Sequence, residues 1–166
     1  MSIYLSCDKQ AGLEGIATDK LVASLGASEC TDFSFGVGLG VSISKGGVEK
    51  SSASLGEIVM HKPFDSMSPA LFINCCLGTT IKKVQIDFTG TAGSADSGSV
   101  VYLTYELKNA VITGHSVSSK GDKPTEFFSF AYEEIVMTYK TPPVTAKNSD
   151  GSPVVQQWSV IGNAKS

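Results

Sequence analysis

Residues 68–78 read SPALFINCCLG, from Ser68 to Gly78. Ser68 carries the kind of side-chain acceptor that caps a helix N-terminus. Pro69 follows at the first helical position, where a missing N–H costs nothing. Leu71, Phe72, Cys75 and Cys76 stand at i, i+1, i+4 and i+5, which places them on one helical face. Gly78 supplies the left-handed residue that ends a helix. Start, face and stop agree on a helix of roughly two to three turns. A helix this short is unstable alone. It is expected to pack on its surroundings, plugging an open end or covering a face.

Those surroundings read as strands. Ser2–Cys7 is a short apolar run. Phe33, Phe35 and Val37 alternate with Asp32, Ser34 and Gly36. Val84, Ile86 and Phe88 alternate with Lys83, Gln85 and Asp87. Val101, Leu103, Tyr105 and Leu107 do the same, as do Phe128, Phe130 and Tyr132. Ile135, Met137 and Tyr139 continue after Glu133-Glu134, where the phase slips by one, as at a β-bulge. Val154–Ile161 is a last strand carrying the one tryptophan, Trp158. A period of two marks half-buried antiparallel strands. Turn-rich stretches at Thr89–Gly98, Ser116–Pro124 and Thr141–Pro153 punctuate them. The expectation is one domain over residues 1–166, mainly β: an antiparallel β-barrel of two packed sheets with one short helix and a long extended loop.

Composition agrees. The 166 residues include 17 Gly, and only 17% are charged, so a helical bundle is disfavoured. A net charge of −3 offers no global footprint for nucleic acid. No stretch approaches the roughly 20 apolar residues of a membrane-spanning helix. MSIYLSCDKQ at the start lacks the basic region and apolar core of a secretory signal, so the expectation is a soluble cytoplasmic chain. Cys7, Cys30, Cys75 and Cys76 form no C-x-x-C pair and read as buried free thiols, with no disulfide assignable. With His61 and His115 they offer no metal set at workable spacing, and no cofactor is expected.

Residues 36–54, GVGLGVSISKGGVEKSSAS, are too long for an ordinary hairpin loop. Long loops in compact domains tend to be functional or disordered. Gly36-x-Gly38-x-Gly40 and Lys45-Gly46-Gly47 lack the spacing of a phosphate loop, and no helix follows. Gly114-His115-Ser116-Val117-Ser118 approaches a nucleophile elbow, but Ser118 replaces its final glycine and a turn-rich loop follows. Adjacent Glu133 and Glu134 face opposite sides of a strand and cannot flank one substrate. Chemistry is sparse, and protein–protein contact is the better reading.

KPFDSMSPALFINCCLGTTIKKVQIDF, residues 62–88, resembles the haemolysin-coregulated protein (Hcp) family, the tube protein of the bacterial type VI secretion system. The resemblance rests on Lys62, Asp65, Ser68-Pro69, Leu71, Gly78 and the Val84-Ile86-Phe88 strand. It continues in YELKNAVITGHSVSS, residues 105–119, in Pro124-Thr125-Glu126 leading into Phe128, and in Gln157-Trp158 and Asn163. Upstream, Phe33-Ser34-Phe35-Gly36 matches an aromatic strand followed by a long Gly/Ser loop. Residues 1–30 match poorly beyond an opening strand.

The resemblance implies a six-membered ring with a central channel, and rings that stack into a tube driven out of the cell by a contracting sheath. It implies effector proteins in the lumen, spike and sheath partners, and export without a cleaved signal peptide. The loop, with Gly38, Gly40, Ser44, Lys45, Gly46 and Gly47, would contact neighbouring subunits or the next ring. Ser34, opposite Phe33 and Phe35, would face the lumen. No enzymatic role is expected. The competing readings are a monomeric, carbohydrate-type ligand-binding β-barrel module and a small hydrolase using Ser116 and His115.

Overall fold

The computed structural model describes residues 1–8, 12–91, 99–140 and 152–165. In chain order the strands are β1 (Ser2–Cys7), β2 (Ser28–Cys30), β3 (Asp32–Ser34), β4 (Val37–Ser44), β5 (Gly47–Leu55) and β6 (Ile58–Pro63). The helix α1 (Ser68–Leu77) follows. Then come β7 (Thr80–Thr91), β8 (Ser99–Ser118), β9 (Thr125–Ala131), β10 (Glu134–Tyr139) and β11 (Val154–Ser159). Most of the turn at Thr89–Gly98 and most of that at Thr141–Pro153 lie outside the described residues.

Nine strands form one antiparallel sheet in the order β2-β1-β7-β8-β9-β6-β3. β10 lies against β8, and β11 against β10. The barrel expected from sequence is not closed by a ladder of hydrogen bonds, and the second sheet is only the β4–β5 hairpin. The chain itself joins the two ends of the large sheet. β2 pairs with β1, β3 pairs with β6, and Thr31 alone separates β2 from β3. At that corner the Thr31 N–H donates to the His61 carbonyl over 2.8 Å. One extended segment thus switches partners and carries the wall around.

β8 is the spine, 20 residues long. One edge holds β7; the other holds β9 and β10 in succession. The phase slip at Glu133-Glu134 is not a bulge. Val111 faces Ala131 and Lys108 faces Glu134, three positions further along each strand, so no residue is inserted. Both strands instead change face together: Leu107 and Ala110 are buried on β8, Tyr132 and Ile135 opposite. Asn109 absorbs the twist with a φ of 48°, a left-handed conformation that asparagine tolerates better than most residues.

Leu5, Ile58, Met60, Ile86, Phe128 and Phe130 belong to the main core, joined by Leu71 from the helix. Burying each such side chain contributes about 1.5–3 kcal/mol. Residues 12–27 cover the opposite face of β1, where Tyr4 packs with Val22 and Ala27. β1 is therefore covered on both faces, and Tyr4 to Cys7 are all buried. β6 carries Ile58, Met60 and Lys62 inward. A lysine in the third apolar position hid that strand from a hydrophobic reading.

Candidate assembly surfaces

The helix is anchored by an ionic network as well as by part of the apolar face read from its sequence: Leu71 is buried in the core and Cys75 packs against it. Ser68, Leu71 and Asn74 are its buried residues; Phe72 is 56% exposed and Cys76 is exposed. Ser68 is the first helical residue, not the cap, and Met67 precedes it in helical conformation. The Ser68 hydroxyl instead donates to Glu126 Oε1 at 2.7 Å and accepts from the Asp65 N–H at 2.9 Å. Asp65 Oδ1 accepts the Met67 N–H at 2.9 Å, which does part of the work of a cap. Gly78 ends the helix as expected, with φ 61°.

Lys62 sits at the centre of this arrangement. Its Nζ lies 2.5 Å from both Asp65 Oδ1 and Glu126 Oε1, and 3.1 Å from Ser68 Oγ. The Lys62 and Glu126 side chains are 0% exposed. Asp65 Oδ2 accepts from Ser28 Oγ at 2.6 Å, and His115 Nε2 stands 2.8 Å from Glu126 Oε2. One network therefore ties β2, β6, β8 and β9 to the helix start. Buried charges are tolerated when paired and hydrogen-bonded in this way. Sequence singled out Lys62, Asp65 and Glu126 separately but not their contact: Glu126 lies 61 positions beyond Asp65, and only the sheet brings it near.

The Gly/Ser stretch forms a regular hairpin rather than a loop. β4 and β5 pair from Val37↔Leu55 to Ser44↔Gly47, turning at Lys45-Gly46. The register shifts at Gly40, where an added Cβ would lie 2.5 Å from Ser51 Oγ. Every residue of β4 is exposed. Val37, Leu39, Val41 and Ile43 form an alternating apolar row, with Ile43 80% exposed near the tip. Its period of two was visible in the sequence beneath the glycines and serines. Gly38, Gly40, Ser44, Lys45, Gly46 and Gly47 all lie on this hairpin.

Ser34 is exposed on β3. Phe33 packs inward, with ring centroids 5.0 Å from Tyr105 and 5.1 Å from Phe88. Gly114 to Ser118 lie within β8, paired to β9, so there is no elbow for Ser116. Glu134 holds Lys108 and Gln157, while Glu133 accepts from Asn109 Nδ2 at 2.6 Å. All four cysteines are free. Cys7 and Cys30 are buried as expected; Cys75 is half-buried and Cys76 exposed, unlike the buried reading. Burial pushes the Cys7 thiol far up and the Cys30 thiol up to about 12. Burial also pushes the Tyr132 hydroxyl, which donates to the Gly56 carbonyl at 2.9 Å, up to about 12. No helix among the described residues is long and apolar enough to cross a membrane.

Known proteins share this architecture. Among solved structures, one described as a type six secretion system protein aligns with a TM-score of 0.84 and 22% identity over 99% of both chains. Hcp1 from Salmonella typhimurium aligns with a TM-score of 0.76 and 17% identity over 99% of this chain and 98% of that one. A mutant Hcp1 from the E. coli EAEC 042 pathovar gives 0.73 and 18% over 95% and 96%. No curated protein sequence matches the chain. A family model described as "Type VI secretion system effector, Hcp" matches residues 4–139. The chain therefore belongs to the Hcp family, the exported structural tube protein of the type VI secretion system, which assembles into rings and tubes.

Proposed function

We propose that this chain, as one domain over residues 1–166, builds six-membered rings that stack into the inner tube and carry effector proteins in the lumen. The exposed apolar row of the β4–β5 hairpin carries this reading. A monomer rarely leaves several large aliphatic side chains on a projecting element without a partner. A closed ring needs head-to-tail contacts in which a protrusion on one side meets a complementary surface on the other. The hairpin residues Gly38, Gly40, Ser44, Lys45, Gly46 and Gly47 are the proposed contact to a neighbouring subunit or the next ring. Ser34 is the proposed lumen-facing position.

The tube would wait in the cytoplasm and leave through the machine with its spike, propelled by the sheath. The role is structural rather than catalytic. The aromatic side chains Phe33, Phe88 and Tyr105 stack into the core instead of forming the exposed platform a carbohydrate module uses. Size-exclusion chromatography with light scattering tests the reading. A species about six times the 17.4 kDa of one chain is expected. A strictly monomeric species at high concentration would overturn it.

A further inference from the structure

The helix has a second apolar side. Pro69, Phe72, Ile73, Cys76 and Leu77 stand at i, i+3, i+4, i+7 and i+8, and all five are exposed. That spacing is the one by which a helix lays an apolar stripe on a core, with charged residues on its far side. In α1 the core is met from the other side, by Leu71 and Cys75. The outward stripe holds Leu77 at 71% and Phe72 at 56% exposure, and no residue of the helix is charged. A soluble face built like a core face calls for a partner.

The same chain carries a matching surface at its other end. Phe35, just before the hairpin, meets Tyr105 of β8 with ring centroids 6.0 Å apart. Phe72 of the helix meets His115 of β8 at 6.2 Å. Ten residues of strand lie between those two points, roughly 30 Å. Every residue of β4 is exposed, so the hairpin does not fold back onto its own helix. At its tip Ile43 stands opposite Val48, with Val41 two residues back on the same face. Val41 and Ile43 are about 7 Å apart along the strand, close to the roughly 6 Å between Ile73 and Leu77 along the helix. Lys45 and Lys50, exposed on the hairpin, suit the C-terminal end of α1, whose last turn holds no basic residue. We infer that the helix stripe receives the hairpin tip of a second copy of this chain. Unlike surfaces at opposite ends of one chain propagate head to tail, as a ring or a stack requires. The inference rests on the hairpin acting as a subunit contact and adds the surface that receives it.

Charge exchange on the full chain tests it, read by sedimentation velocity. Ile43→Glu and Leu77→Lys change positions that are 80% and 71% exposed, so folding is expected to survive each. Each alone is expected to shift the protein toward smaller species. The two together are expected to recover the larger ones, because opposite charges then meet across the contact. Ile43→Cys supplies a second readout with the native, exposed Cys76. A short bismaleimide is expected to join positions 43 and 76 in bands of two or more chains, mapped by mass spectrometry. Leu77→Lys that assembles like the parent, with no 43–76 link, overturns the inference while leaving the hairpin contact standing; the stripe then faces outward, free for a different protein. Ile43→Glu that assembles like the parent removes the hairpin from the interface, and both readings fail.

Discussion

Replacing Lys62 by methionine removes the cation that faces Asp65 and Glu126 in the interior. Met matches the stem of lysine in length and flexibility, so packing changes little. Glu126, 0% exposed, and Asp65, 11% exposed, then lose the ammonium that lies 2.5 Å from each. Ser68 and His115 still contact Glu126, but the ammonium shared by both carboxylates is gone. Removing one partner of a buried pair costs about 3–5 kcal/mol. For a chain of 166 residues, each kcal/mol lowers Tm by roughly 2–4 °C. The expected fall is therefore roughly 6–20 °C, read by circular dichroism during heating. Lys62→Met combined with Glu126→Gln is expected to recover part of it, because the amide remains a hydrogen-bond partner for Ser68 without a stranded charge. Lys83→Met is the control. Its partner Glu106 lies 2.7 Å away, but the side chains are 51% and 31% exposed, and such pairs contribute under about 1 kcal/mol. If Lys62→Met melts within about 3 °C of the parent, as the control should, the network does not anchor the helix and the reasoning fails.

Three further outcomes follow from the same structure. Cys30 is raised from 9.0 to about 12, Cys7 is raised by the same cause, and Tyr132 is raised from 10.0 to about 12. Each stays neutral in the folded chain after its unfolded counterpart ionises, so the stability it supplies is whole below pH 9 and fades as pH climbs toward 12. Thermal melts across that window should fall steadily, and less steeply in Cys7→Ala with Cys30→Ala; equal slopes would contradict the assignment. Maleimide labelling followed by mass spectrometry should modify Cys76 first, Cys75 more slowly, and Cys7 and Cys30 only on unfolding. Ile43→Lys on the hairpin should leave the melting temperature within about 2 °C, since surface changes stay near ±0.5 kcal/mol, yet shift sedimentation toward smaller species. An unchanged assembly would remove the hairpin from the interface.

What was legible in the sequence was what backbone chemistry writes locally. Gly78 fixes where the helix stops, and that held; Pro69 stands second in the helix rather than first, because Ser68 is already helical. The strands around Val84-Ile86-Phe88 and Phe128-Phe130 showed because one face of each meets the core. The helix face was misread because Ser68 and Asn74, both polar, turn inward, leaving Phe72 and Cys76 outside. Ser68 is drawn in by Lys62 and Glu126, and no local pattern records a partner 58 positions away. The hairpin was hidden differently. Val37, Leu39, Val41 and Ile43 kept strand alternation, but Gly38, Gly40 and Ser42 between them read as loop. At Gly40 an added Cβ would meet the Ser51 hydroxyl, which would have to turn away.

The central claim is that the chain closes into six-membered rings. Negative-stain images of the purified protein, averaged without imposed symmetry, test it most directly. Six-fold rings with an open centre, some stacked into short tubes, are the predicted result. A field of single compact particles at every concentration, or closed rings of another order, would contradict it.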